Sequence, residues 1–109
     1  MRRSFTAAVA RNETITDGFE TEPYECGWAS EARWFVRALS WSGSGLIRLS
    51  TQLSPDGLFW CDADAHPIEI RGTELSTANI QHFGNWLRLK AEVVDEPECS
   101  AIIYLVLKE

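Results

Sequence analysis

Two aspartates and a histidine alternate along one short segment, Cys61-Asp62-Ala63-Asp64-Ala65-His66. Alternate residues of an extended chain point to the same side, so Asp62, Asp64 and His66 would share one face. Carboxylate oxygens and an imidazole are ligands for a divalent cation. The segment lacks the glycine and terminal glutamate of a calcium-binding EF-hand loop, and a site built between strands would also need His82. We predict no resident metal or cofactor. Under the alternative hypothesis of a metal-dependent enzyme, Asp62, Asp64, His66 and His82 are the candidate ligands.

No other motif favours catalysis. The sequence has neither a Gly-x-Ser-x-Gly nucleophile elbow nor a glycine-rich phosphate loop. Cys61 can be drawn as a thiol–imidazole pair with His66 or His82, but an inert buried cysteine is the commoner state. No pair of carboxylates is marked as a glycosidase acid and base. We therefore predict that the protein is not an enzyme.

Length and charge limit the possible partners. A chain of 109 residues is expected to form one domain over 1–109. Its net charge is −6 and no basic run follows Arg2-Arg3, so nucleic-acid binding is not expected. No apolar run is long enough to span a bilayer, and Asn12-Glu13-Thr14 interrupts the N-terminal apolar stretch too early for a signal peptide. The expectation is a protein without a membrane partner, cytoplasmic or assembled into a particle.

The cysteine pattern argues against cross-links. The three cysteines are odd in number, widely spaced and without a Cys-x-x-Cys pair. This pattern argues against a disulfide framework and against a zinc ribbon. We expect Cys26, Cys61 and Cys99 to be small, mostly buried apolar residues.

Alternating apolar and polar residues predict the fold class. Residues 46–60 read LIRLSTQLSPDGLFW, a β-hairpin with Pro55 and Gly57 in its turn. Further alternating segments recur at short intervals and none shows helical periodicity, which predicts an all-β, single-domain antiparallel β-sandwich of jelly-roll type. The segment 72–84 is predicted to be irregular, with one helical turn. The predicted strands are 3–10, 13–16, 32–41, 45–54, 58–61, 67–71, 85–94 and 99–108.

The last predicted strand and the tryptophans point to an interface. Residues 99–107 read CSAIIYLVL and are apolar on both faces, as in a central strand or one with a face covered by a partner. Alternation places Trp41 on the same face of its strand as Phe35, Arg33 and Arg37. It places Trp86 on the polar face of its strand with Arg88 and Lys90. Such a face can be a second part of the core, a protein interface or a sugar platform. The predicted interface residues are Phe35, Arg37, Trp41, Trp86 and Arg88.

Three segments carry a resemblance to a known group of proteins. They are STQLSPDGLFW (50–60), FGNWLRLKAEV (83–93) and AIIYLVLKE (101–109). Over residues 46–109 the chain resembles small β-sandwich accessory domains of bacterial proteins and decoration domains of phage structural proteins. The resemblance implies a sandwich fold and brings no catalytic residues with it.

These observations lead to one functional hypothesis and two alternatives. We expect a non-enzymatic structural or interaction protein that self-associates or decorates a larger assembly such as a virion or shell. The N-terminal segment 3–10 could pair with a neighbour's sheet edge. One alternative is a carbohydrate-binding module that uses Trp41 or Trp86. The other is a small metal-dependent enzyme at the cluster described above.

Overall fold

The protein folds into two antiparallel sheets. The structure, a computed structural model, describes residues 3–109, which contain nine strands and no helix. Within this part of the chain no helix is long and apolar enough to cross a membrane. The strands are β1 (Ser4–Thr14), β2 (Tyr24–Glu25), β3 (Glu31–Ser42), β4 (Leu46–Ser54), β5 (Cys61–Asp62), β6 (Ile68–Ile70), β7 (Leu75–Ile80), β8 (Trp86–Val94) and β9 (Glu98–Lys108).

The winding of the chain is that of a jelly roll. One sheet has the order β1-β9-β3-β7, and the other has the order β2-β8-β4-β5, with β6 also paired with β4. Since β5 and β6 both pair with β4 on the edge side, they act as one interrupted strand. The chain then occupies eight positions and alternates between the sheets through β4, as in jelly rolls. The predicted all-β sandwich is confirmed.

Alternate residues of the central strands form the core between the sheets. Trp34 of β3 and Leu105 of β9 are fully buried in one sheet, and Leu49 of β4 and Leu89 of β8 are buried in the other. The Trp34 indole Nε1 donates a 3.0 Å hydrogen bond to Thr51 Oγ1, which links the two sheets. Because successive side chains point to opposite faces of a sheet, the buried residues also determine which side chains point outward.

The largest departure from the sequence prediction is strand β7, which lies inside the segment 72–84. The predicted helical turn is wrong: β7 pairs with β3 from Leu75 opposite Arg37 to Ile80 opposite Ala32. Its inward residues include a serine and an alanine, so the strand lacks the strong apolar alternation that marks β4 and β8.

The other differences concern strand ends. The predicted strands 3–10 and 13–16 form one strand, β1, which pairs with β9 of the same chain and contains two register shifts. The predicted strand 58–61 is mostly a loop that leads into the short strand β5. The short strand β2 was not predicted, because two residues carry no periodicity.

The cysteines give a first testable prediction. Cys26 and Cys99 are buried and Cys61 is exposed. Burial raises the pKa of the Cys26 thiol to about 12, with a further contribution from Glu25, and burial also raises the pKa of Cys99. Because thiolates are the reactive species, we expect a thiol reagent at neutral pH to label Cys61 rapidly and the other two cysteines only after denaturation. Rapid labelling of Cys26 in the native protein would contradict this burial.

Candidate interaction surface

The outer face of the four-stranded sheet is apolar at its centre. Phe35 of β3 lies opposite Tyr104 of β9, and Ile102 and Val106 lie on either side of Tyr104 along the same face. All four side chains are half-buried although no layer of the described chain covers this face. We call these residues (Phe35, Ile102, Tyr104 and Val106) the apolar face.

Arginines and leucines border the apolar face. Arg33 lies opposite Val106 and Arg37 lies opposite Ile102, and both arginines are exposed. Leu75 of β7 lies opposite Arg37 and is 64% exposed. An apolar centre beside exposed arginines is the composition of protein interfaces.

The outer face of the five-stranded sheet is different because it carries paired charges. Arg48 of β4 contacts Glu92 of β8 at 2.6 Å and Glu69 of β6 at 3.8 Å. These side chains are at least one-third exposed, so the pairs add little stability, but they keep this face polar. Polar side chains are what an antiparallel sheet presents on its water-facing side.

Arg88, on that same polar face, is held by three neighbouring side chains. Its guanidinium lies 4.3 Å from the centre of the Trp60 ring, forms an ion pair with Glu20 at 3.1 Å and donates to Gln52 Oε1 at 2.8 Å. Gln52 in turn donates to Asp62 at 3.1 Å. A side chain with its donors in use has less to offer a partner.

Trp86 lies under the neighbouring turn. A Cβ atom placed on Gly57 would lie 3.2 Å from the Cδ2 and Cε2 atoms of the Trp86 ring, so the backbone of Gly57 rests on one ring face. The φ angle of Gly57 is +80°, which favours glycine for a second reason. Gly57 therefore occupies one face of the half-buried Trp86 ring.

Trp41 lies on the other side of its strand from the apolar face. An extra residue between Ala38 and Ser40 shifts the register of β3, so Trp41 is opposite the buried Cys99. Its ring packs against the core, and its Nε1 donates to Gly43 O at 3.1 Å. The expectation that Trp41 shares a face with Phe35 is wrong, because alternation read from sequence does not count a bulge.

The five predicted interface residues thus occupy three separate places. Phe35 and Arg37 lie together on the outer side of the four-stranded sheet. Trp86 and Arg88 lie on the opposite side of the sandwich, on β8. One flat partner cannot contact both pairs. The sequence reading missed the outward side chains of Ile102, Tyr104 and Val106 as a set, although it recognised that their strand is apolar on both faces.

A second apolar feature is the turn before β5. Leu58 and Phe59 are 76% and 77% exposed at its tip. Asp56 Oδ1 accepts hydrogen bonds from the backbone N–H groups of Leu58 at 2.9 Å and Phe59 at 3.1 Å. Ser54 Oγ also donates to this carboxylate at 3.1 Å. The turn is therefore held by side chain–backbone bonds.

These bonds give a pH-dependent prediction. Hydrogen bonds from Leu58 and Phe59 lower the pKa of Asp56 below its usual value of 3.8. Because the folded pKa is the lower one, the carboxylate stabilises the turn above pH 3.8 and loses this effect as pH falls through the folded value. We expect the amide resonances of Leu58 and Phe59 to titrate with a midpoint below 3.8, and to lose this titration in Asp56→Asn. A midpoint at or above 3.8 would contradict the assignment.

The candidate metal ligands lie around a cleft. Asp62, Asp64 and His66 line one side of a cleft of ≈ 670 Å³, and His82 lines the other together with residues 78–81. Within residues 3–109, no three His, Cys, Asp or Glu side chains are grouped so that they could hold a metal ion. Asp62 is instead hydrogen-bonded to Gln52. The alternation in this segment thus brings its residues to one cleft without forming a coordination site.

Comparison with known proteins gives the fold. No protein-family model and no curated protein sequence matches the chain. The structure is similar to the SPBc2 prophage-derived protein YomS, with a TM-score of 0.58 and 10% identity over 100% of this chain and 96% of that one. It is also similar to the CBM36-1 domain of a multidomain xylanase from the hindgut metagenome of Trinervitermes trinervoides (TM-score 0.54, 5% identity, 94% and 96% covered).

A third similar structure is that of infectious bursal disease virus, Gx strain. The TM-score is 0.52 and the identity 12%, over 98% of this chain and 32% of the viral one. All three are β-sandwich-like, and this confirms the resemblance to phage and bacterial accessory domains. At these identities the likeness defines the fold, which is used by prophage, viral and CBM proteins alike.

Proposed function

We propose that this protein is a non-enzymatic structural module that packs its apolar face against another copy of the chain within a larger assembly. The observation that carries the proposal is the contrast between the two outer faces of the sandwich. One is covered by paired charges, whereas the other has Phe35 and Tyr104 at its centre. A sheet face that meets only water is normally polar, so the apolar face is the better candidate for contact with protein.

Charge supports a second copy as the partner. The chain carries a net charge of −6, yet arginines at positions 33 and 37 flank the apolar face. A surface with this local positive charge is attracted to an acidic chain, and another copy of the protein is such a chain. When one face contacts a different surface of the next copy, the contact builds rings or open chains of subunits.

The two alternatives have less support. A sugar platform is a flat aromatic ring that is well exposed on one face. The Trp86 ring is half-buried with Gly57 on one face, and the Trp41 ring packs against the core. The metal-dependent reaction needs ligands that converge, and in the described residues the acidic cluster does not provide them. A structural role requires neither feature.

Native mass in solution tests the proposal. We expect light scattering behind a sizing column to give a mass that rises with protein concentration to a multiple of 12.3 kDa, and that falls at high salt because exposed charges are screened. A mass of 12.3 kDa at every concentration and salt would overturn self-association. Trp86→Ala changes a residue on the polar side of the sandwich, so it should have the same mass as the native protein at each concentration.

A further inference from the structure

We propose that strand β7 pairs with β7 of a second copy, antiparallel and about a two-fold axis at Thr77, to join two four-stranded sheets into one. The inference deepens the proposed self-association by adding a second, distinct contact. This contact is made by main-chain groups at the sheet edge and not by the apolar face.

β7 is an open and regular edge. In the four-stranded sheet it pairs with β3 on one side, and no strand of the described chain lies on its other side. It has six residues, LSTANI, with no charge, no proline and no register shift. Natural edge strands usually carry such features to block pairing with another chain.

The other sheet edges are irregular or very short. The opposite edge of the same sheet is β1, which contains two register shifts near Ala8, Ala10 and Glu13. In the second sheet the edges are β2 with two residues, β5 with two and β6 with three. Among the described strands, β7 alone is a long regular edge, so the place expected for strand addition is not the N-terminal segment 3–10 but β7.

The outward main-chain groups of β7 complement themselves. Ala38 N–H donates to Glu74 O at the start of the β3–β7 ladder. Since bonded and non-bonded pairs alternate in an antiparallel ladder, the N–H and C=O groups of Leu75, Thr77 and Asn79 point away from β3. With Thr77 opposite Thr77 of a second copy, Leu75 of each copy lies opposite Asn79 of the other copy. Every outward group then has a partner in a closed two-fold contact.

A cleft borders one end of β7 and can accept part of the second strand. The cleft of ≈ 670 Å³ runs between residues 78–82 and residues 61–66, beside the open edge of β7. In this register, residues 73–75 of the second copy enter the cleft next to residues 79–81. The joined sheet would place two apolar faces side by side, which enlarges the surface available for the contact proposed above.

Disulfide trapping tests the register. In a Cys61→Ser background, which lacks the exposed native thiol, Thr77→Cys places two cysteines on the two-fold axis with Cα atoms about 5.5 Å apart, within the disulfide range of about 4.4–6.8 Å. Asn79→Cys is the matched control on the same exposed side of the strand. Its two cysteines would lie about 14 Å apart and could not be bridged.

We expect Thr77→Cys to form a covalent dimer at least about tenfold faster than Asn79→Cys under mild oxidation, since paired thiols have a high effective concentration. A mixture of Leu75→Cys and Asn79→Cys chains should cross-link with each other. Equal rates for Thr77→Cys and Asn79→Cys, or no cross-link in either, would overturn the pairing.

The same oxidation in a Tyr104→Glu background separates this inference from the proposed function, because Tyr104 belongs to the apolar face but, unlike Phe35, is not the cross-strand neighbour of Thr77. Cross-linking at Thr77 that survives Tyr104→Glu supports edge pairing whether or not the apolar face binds. An oligomer in the native protein together with no cross-link at Thr77 overturns edge pairing and leaves the apolar face as the contact.

Discussion

Replacing Trp34 with alanine is expected to lower the free energy of unfolding by about 3–5 kcal/mol, the range for buried aromatic residues replaced by alanine. Trp34 is fully buried in the middle of β3. Its removal opens a cavity between the sheets and also leaves the Thr51 hydroxyl without the indole N–H that it accepts at 3.0 Å. Urea denaturation should show the unfolding midpoint lowered by about 2–4 M.

The adjacent residue provides the control. Phe35 points to the opposite side of the same strand and is only half-buried. Phe35→Ala, measured at a concentration where the protein is monomeric, should change the free energy of unfolding by about 1 kcal/mol or less. Equal losses for Trp34→Ala and Phe35→Ala would contradict the assignment of one face to the core and the other to the outer surface.

Phe35→Glu is expected to remove the contact proposed for the apolar face, so that no association larger than the edge-paired dimer remains. A carboxylate at the centre of the apolar face would have to be desolvated beside Tyr104 without a partner. Central interface residues typically contribute about 2 kcal/mol or more, which corresponds to at least about a 30-fold weaker association. Sedimentation velocity over a concentration series measures this shift directly.

Two further variants make this result specific. Arg37→Glu reverses a charge at the border of the apolar face, so it should weaken association and reduce its salt dependence. Ser50→Glu adds one negative charge, as Phe35→Glu does, but places it on β4 on the side of the paired charges, and it should have no effect. Association that is insensitive to Phe35→Glu, or equally weakened by Ser50→Glu, would show that the contact lies elsewhere.

The sequence predicts the fold well wherever alternation is strong. β4, β8 and β9 were predicted to within a residue or two because their inward residues are large and apolar. β7 was missed because an edge strand with serine and alanine inside has little hydrophobic signal, and its pairing with β3 is decided by tertiary contacts.

The candidate surface was only half predictable. Phe35 and Arg37 follow from alternation in β3, and the two apolar sides of β9 indicate that something covers its outer side. Trp41 was assigned to the wrong side of β3 because a bulge between Ala38 and Ser40 reverses the side of the strand on which each later side chain lies. Trp86 and Arg88 were grouped with Phe35 and Arg37 because alternation in a sequence does not indicate which of the two sheets a strand joins.

Hydroxyl-radical footprinting of the native protein locates the contact between copies, by comparing side-chain oxidation in dilute and concentrated samples. If copies pack through the apolar face, oxidation of Phe35 and Tyr104 falls as the protein is concentrated, while oxidation of the exposed Leu58 and Phe59 at the tip of the turn stays the same. Unchanged oxidation of Phe35 and Tyr104, with protection at Leu58 and Phe59, would contradict this packing and place the contact on the turn.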